Sequence, residues 1–213
     1  MANRVVLAGA LTLVIFLSGL SVGMLWDSFR RARLESGLDE MAVYTTSLFL
    51  ESQLIENASC DAVWPILIDA VVGIEESLDR YVAYTEASVT DLDKQQLLYR
   101  RYLLANIRYW QFVKTYRDKC EWNASVVLYF FNGDCGGACD AASTRLDYVK
   151  KKFGEQLLVF PINMQLAGSD PVAHTLHYLY NISSYPSMVI NEQVYGLLSV
   201  EELEGVVCQR IGC

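Results

Sequence analysis

Residues 126–140 read VVLYFFNGDCGGACD. Val126 to Phe131 is an unbroken run of strand formers, the pattern of a strand covered on both faces. A short loop, NGDCGGA, then leads into a helical pattern that carries Leu146, Val149 and Phe153. Cys135 and Cys139 sit four residues apart at the start of that helix. A thiol there meets unsatisfied backbone N–H groups and the positive end of the helix dipole, which favour thiolate. The pair is a redox couple, a metal clamp or two unrelated thiols, and the surrounding chain narrows the choice.

Toward the C-terminus, Leu157 to Asn163 (LLVFPIN) is a second buried strand and Asp170 to Tyr180 has helical spacing. Residues 184–199, SYPSMVINEQVYGLLS, read as a strand, a tight turn near Asn191-Glu192 and another strand; a last helix runs from about Ser199 to Cys208. A β-α-β-α-β-β-α order calls for an α/β domain, a mixed sheet with helices on its faces.

Over about Ser125 to Arg210 this order and spacing resemble thioredoxin-like domains. The residues that carry the resemblance are the buried first strand, the cysteine pair at the next helix N-terminus, and SYPSMVI in the place of that family's cis-proline loop. It implies that Cys135 is the exposed nucleophile and Cys139 the more buried resolving thiol. It also implies that Pro186 is a cis proline facing the cysteines, with Tyr185 lending backbone to an extended substrate segment.

Two features depart from that family. Its usual cysteine spacing has two intervening residues, whereas CGGAC has three. Positions four apart on a helix are about 6 Å apart along the axis, within the Cα range of a disulfide, and Gly136 and Gly137 let the backbone adjust. The buried acid that relays protons in reducing members would fall six residues before Cys135, where this chain has Tyr129. Oxidation, isomerisation or substrate holding then fits better than efficient general reduction. Copper-handling proteins of the same fold also place three residues between two cysteines and add a distant histidine. The chain's only histidines, His174 and His177, are expected on the helix before the Pro186 loop, facing away from Cys135. Two soft thiolates without a third ligand make a poor site, so neither metal nor cofactor is expected.

Between Ser28 and Cys120 there is no strand signal, and Pro65, the one proline, is expected near the first turn of a helix. The pattern predicts helices over about 28–55, 60–85 and 91–120, with SVTDLDKQ as a break and Thr90 or Asp91 as N-cap. The midpoint of Cys60 and Cys120 falls in that break. An antiparallel hairpin therefore brings these two cysteines to one level, where a disulfide would staple its far end. Leu98, Tyr102, Tyr109, Phe112, Val113 and Tyr116 recur at spacings of three and four and read as packing. Arg100, Arg101 and Arg108 read as a solvated face. The segment carries no evident chemistry and is expected to be a spacer or docking element.

Val5 to Trp26 is 22 residues without a charge, about 33 Å as a helix and long enough to cross a bilayer. A cleaved signal peptide, with Ser21 and Gly23 near the cleavage point, is the competing reading; the length of the run favours an anchor. The expected organisation is a transmembrane anchor (1–27), a helical hairpin or bundle (28–122) and a thioredoxin-like domain (123–213).

The topological signals conflict. Arg30, Arg31 and Arg33 follow the span while Arg4 precedes it, which by the positive-inside rule keeps the bulk of the chain in the cytoplasm. Six cysteines and three glycosylation sequons, at Asn57, Asn123 and Asn181, point outside. The expected Cys60–Cys120 bridge tips the reading to an extracytoplasmic domain on a single-pass membrane protein. Cys208 and Cys213 form either a local bridge or leave a free tail thiol, since six cysteines admit about 15 pairings. A net charge of −8 without a long basic run excludes a nucleic-acid surface.

The leading expectation is a membrane-anchored thiol–disulfide oxidoreductase acting on protein thiols and disulfides, with a membrane redox partner that reoxidises it. The alternatives are a substrate-holding accessory subunit, similar to thioredoxin-like subunits of oligosaccharyltransferases, and a copper- or zinc-handling protein.

Overall fold

The computed structural model of this 213-residue chain describes residues 13, 16–21, 23–24, 53–54, 58–87, 92–168 and 170–213. Apart from Gln53 and Leu54, which are helical, the helix expected over 28–55 lies outside them, as do Asn57, the caps Thr90 and Asp91, and much of the apolar run 5–26. Two units divide the chain, 1–54 and 55–213. In the first, the described residues are helical and exposed, Leu13, Phe16, Leu17, Leu20 and Met24 among them. Among the described residues no helix is long and apolar enough to cross a membrane.

The second unit begins with a helical hairpin, α1 (Cys60–Glu86) and α2 (Leu92–Cys120). Val63, Leu67, Ala70, Ile74 and Tyr81 recur on α1 at intervals that keep one stripe facing inward, against Tyr99, Leu103 and Ile107 of α2. Pro65 lies deeper in α1 than the first turn, the position where a proline costs least. At the far end, Cys60 and Cys120 are bonded with Cα atoms 5.8 Å apart. Trp64, Tyr116 and Trp122 close around that end with ring centroids 5.8–6.3 Å apart, and Lys119 Nζ donates to the Ala58 carbonyl.

The chain then enters β1 (Ser125–Phe131), followed by α3 (Gly136–Phe153), β2 (Leu157–Asn163), α4 (Pro171–Leu179), β3 (Ser187–Ile190), β4 (Gln193–Tyr195) and α5 (Val200–Ile211). The sheet order is β2-β1-β3-β4. β2 runs parallel to β1, whereas β3 is antiparallel to β1 and β4 antiparallel to β3. This is the α/β arrangement expected from the sequence, a mixed sheet flanked by helices.

Alternation along β1 explains its apolar run. Val126, Leu128 and Phe130 join one core with α2, α4, Phe160, Ile162 and Val189. Val127 and Tyr129 join another with Ala142, Leu146 and Val149 of α3 and Leu203, Val207 and Ile211 of α5. A strand clamped between two cores has no face to give to water.

The α2 helix is no free spacer. Asn106 Nδ2 donates to the Pro161 carbonyl at 3.2 Å, and the Tyr99 hydroxyl accepts from the Asn163 amide at 2.7 Å. Lys114 pairs with Glu192 at 2.5 Å. Arg100 is exposed, as expected, and also pairs at 2.6 Å with buried Asp170, which caps α4 by accepting from the Val172 and Ala173 amides. Buried Arg117 donates to Asn191 Oδ1 at 3.4 Å. Residue 123 lies between α2 and β1, within the unit 55–213.

The β3–β4 turn places Asn191 and Glu192 at φ of 48° and 75°, the two-residue hairpin geometry that suits the sheet's twist. Ser199 and Glu202 form a reciprocal capping box at the start of α5. At the other end of α5, Cys208 and Cys213 are bonded with Cα atoms 5.0 Å apart, and Gly212 adopts φ of 80°.

Candidate active site

β1 delivers the chain to one end of the sheet, where Asn132 and a 3-10 turn, Gly133–Cys135, turn it into α3. The turn is tight: a Cβ on Gly133 would overlap the side-chain amide of Gln165, from the segment after β2. Cys135 stands at the N-cap of α3, and Gly136 follows with φ of 43° and ψ of −129°, a backbone state open to glycine and strained for other residues.

Cys135 and Cys139 are bonded, with Cα atoms 5.5 Å apart, so the extra residue in CGGAC is accommodated within one turn. Cys135 is half-buried, whereas Cys139 is 6 % exposed. An incoming thiolate therefore reaches Cys135 more readily.

Register brings the second part of the site to the same place. Phe130 pairs with Ser187 on antiparallel β3, so the residues just before β3 lie at the end of the sheet where β1 meets the cysteine turn. Those residues are Tyr185 and Pro186, joined by a cis peptide bond. Pro186 is buried and Tyr185 half-buried; burial pushes the Tyr185 phenol above its ordinary pKa.

Tyr129 lies beneath the helix start. Its buried hydroxyl donates to the Cys139 carbonyl at 2.9 Å and accepts from Ser143 Oγ at 3.3 Å. Burial raises the phenol's pKa, with the Ser143 hydrogen bond opposing and nearby Asp140 adding to the shift. At neutral pH it is a neutral hydrogen-bond donor, and it takes no proton from Cys139.

Both histidines lie on α4, as expected. His174 Nε2 is 2.8 Å from the Gly168 carbonyl. The His177 ring centroid is 6.2 Å from that of Tyr185, beside the cis-proline loop. Sequence spacing places His177 on a helix but is silent about which loop packs over that helix. Among the described residues no group of three or more His, Cys, Asp or Glu is placed to hold a metal ion. Of the sequons, Asn123 and Asn181 are exposed, while Ser125, the third residue of the first of these, is fully buried.

One residue of the turn carried no sequence signal beyond its turn propensity. Asn132 Oδ1 is buried without a hydrogen-bond partner, and the Asn132 carbonyl oxygen lies 2.9 Å from Cys135 Sγ.

No protein-family model matches the chain, and no curated protein does. Among solved structures, the chain is similar to the germline-specific thioredoxin Deadhead of Drosophila melanogaster, at 16% identity over 46% of this chain and 92% of that one, TM-score 0.33. It is also similar to chloroplastic thioredoxin z, at 18% identity over 47% and 89%, TM-score 0.35. A malarial protein matches at 21% identity over 42% and 99%, TM-score 0.34.

Proposed function

We propose that the chain is a membrane-anchored thiol–disulfide oxidoreductase acting on cysteines of extracytoplasmic proteins through Cys135 and Cys139. The observation that carries this reading is the Cys135–Cys139 bridge at the N-terminus of α3, at the end of the sheet that also holds cis Tyr185–Pro186. A substrate thiolate attacks Cys135 Sγ, and the S–S bond breaks with its electron pair leaving on Cys139. The substrate's second thiolate then attacks its own sulfur in the mixed disulfide and releases Cys135. Two electrons and two protons pass from the substrate dithiol to the pair; the reverse sequence reduces a substrate disulfide. The helix N-terminus stabilises Cys135 as the thiolate, and the Tyr185–Pro186 segment holds the substrate backbone beside it.

The anchor is supported by the uncharged run 5–26 and by the exposed apolar side chains on its described helical residues. An outside location is supported by the Cys60–Cys120 and Cys208–Cys213 bridges, which persist in oxidising compartments. A membrane partner that reoxidises the pair completes the cycle.

A second reading, a subunit that holds substrates as mixed disulfides, is favoured by Tyr129: with a neutral phenol below Cys139, resolution of a mixed disulfide is slow. The test is to equilibrate the full chain in detergent across glutathione ratios, trap thiols by alkylation and map each cysteine by mass spectrometry. Reversible joint titration of Cys135 and Cys139, with turnover of a cysteine-containing peptide, is expected. Pairing without turnover selects the holder, and a pair that never closes removes both readings.

A further inference from the structure

The inward stripe of α1 has an outward companion. Trp64, Ile68 and Val82 each follow an inward residue, Val63, Leu67 and Tyr81, by one position, which is about 100° around the helix. With Val72 and Leu78 they recur along one side of α1, every one of them between 38 and 51 % exposed. Single exposed apolar side chains are ordinary, whereas a row over about 27 Å of helix is a surface that gains by being covered. Charge on the same helix narrows what can cover it. Asp61, Asp69, Glu75, Glu76, Asp79 and Glu86 are all exposed, and the single cation of α1, Arg80, is engaged with Glu76 at 3.4 Å. Glu75 is three residues from both Val72 and Leu78, and Asp79 is three from Val82, so these two carboxylates lie within the row.

We propose that this face of α1 docks a basic amphipathic helix of a partner protein. The apolar stripe of the incoming helix covers Trp64, Ile68, Val72, Leu78 and Val82, while its Lys or Arg residues meet Glu75 and Asp79. The same charges disfavour two other covers. A second copy of the chain, laid α1 against α1, sets carboxylate against carboxylate. A lipid surface makes Glu75 and Asp79 leave water for hydrocarbon with no cation to pair them. Spacing selects a helix over an extended segment, because side chains at intervals of three and four form ridges that fit between those of another helix. Neither Cys135 nor Cys139 takes part, so docking stands or falls apart from thiol exchange.

The full chain in phosphatidylcholine nanodiscs is titrated with a fluorescent, photoreactive helical peptide of about 18 residues, Leu on one side and Lys on the other. Empty discs give the background, and a Leu/Glu peptide of the same pattern is the counter-probe. Cross-links mapped by mass spectrometry are expected within 64–82, with the Leu/Glu peptide bound at least about tenfold more weakly. Ile68→Ser with Val72→Ser, and Glu75→Lys with Asp79→Lys, should each weaken the Leu/Lys peptide about tenfold. Asp147→Lys with Glu155→Lys makes the same change in net charge at exposed positions off α1 and should leave affinity within about twofold. An equal loss in that control reduces the binding to net charge and overturns the proposal. Cross-links outside α1, equal binding of the Leu/Glu peptide, or no peptide binding because lipid or a second copy already covers the face overturn it too. The cross-link map needs no variant to fold.

Discussion

Two cystines in this molecule have nearly the same Cα separation, 5.8 Å at the end of the hairpin and 5.5 Å at the start of α3, and differ in span and surroundings. Cys60–Cys120 joins residues 60 apart in sequence, beneath Trp64, Tyr116 and Trp122. Cys135–Cys139 joins residues four apart at a helix N-terminus, next to two glycines. Loop-closure entropy gives the first about 4 kcal/mol of stabilisation and the second about 2. Span decides how much a cystine holds a fold together, whereas the local field at its sulfurs decides whether it exchanges. The Cys208–Cys213 bridge separates these factors: it spans only five residues but sits at a helix C-terminus, where the negative end of the dipole disfavours thiolate.

The contrast can be broken at several points. Cys135→Ser should abolish turnover of a reduced peptide while lowering unfolding free energy by no more than about 2 kcal/mol; a larger stability loss would make this bridge a structural one. The Cys60→Ser, Cys120→Ser double variant should lose about 4 kcal/mol in denaturant unfolding, with the redox ratio of Cys135–Cys139 unchanged under conditions where the protein remains folded. Cys208→Ser with Cys213→Ser should cost about 2 kcal/mol, and this bridge should resist glutathione at ratios that open Cys135–Cys139. If it opened first, helix polarity would not be what sets exchange. Tyr129→Phe should cost about 1 kcal/mol by removing the buried hydrogen bond from its hydroxyl to the Cys139 carbonyl, a loss read from the denaturant midpoint at constant slope.

The hairpin and the sheet were legible to different depths. Val126 to Phe131 announced a doubly covered strand because local composition alone encodes coverage, and Asn191-Glu192 announced a tight turn for the same reason. Cys60 and Cys120 were paired by symmetry about a break, again a one-dimensional property. Packing of α2 on the sheet was hidden, because Asn106, Arg100 and Arg117 are polar residues whose partners, Pro161, Asp170 and Asn191, lie 55, 70 and 74 positions away. A charged residue on a helix reads as solvated until the element covering it is known. The site divides in the same way. The Cys135–Cys139 pair and the Pro186 loop stood out as motifs, but Asn132 and His177 matter here only through what the fold lays against them.

The sheet also has two outer strands, and both are blunted. β4 is three residues long, and β2 carries Pro161, which has no amide hydrogen to offer and whose carbonyl is taken by Asn106. Outer strands with open hydrogen-bonding groups are templates on which unfolded chains extend and aggregate. The proposed function, exchange with polypeptides that carry unpaired cysteines, would put the protein among such chains. With both margins poor templates for strand addition, an extended guest would gain little by pairing along the sheet, and under the proposed function the end beside Pro186 would be where it dwells and then leaves.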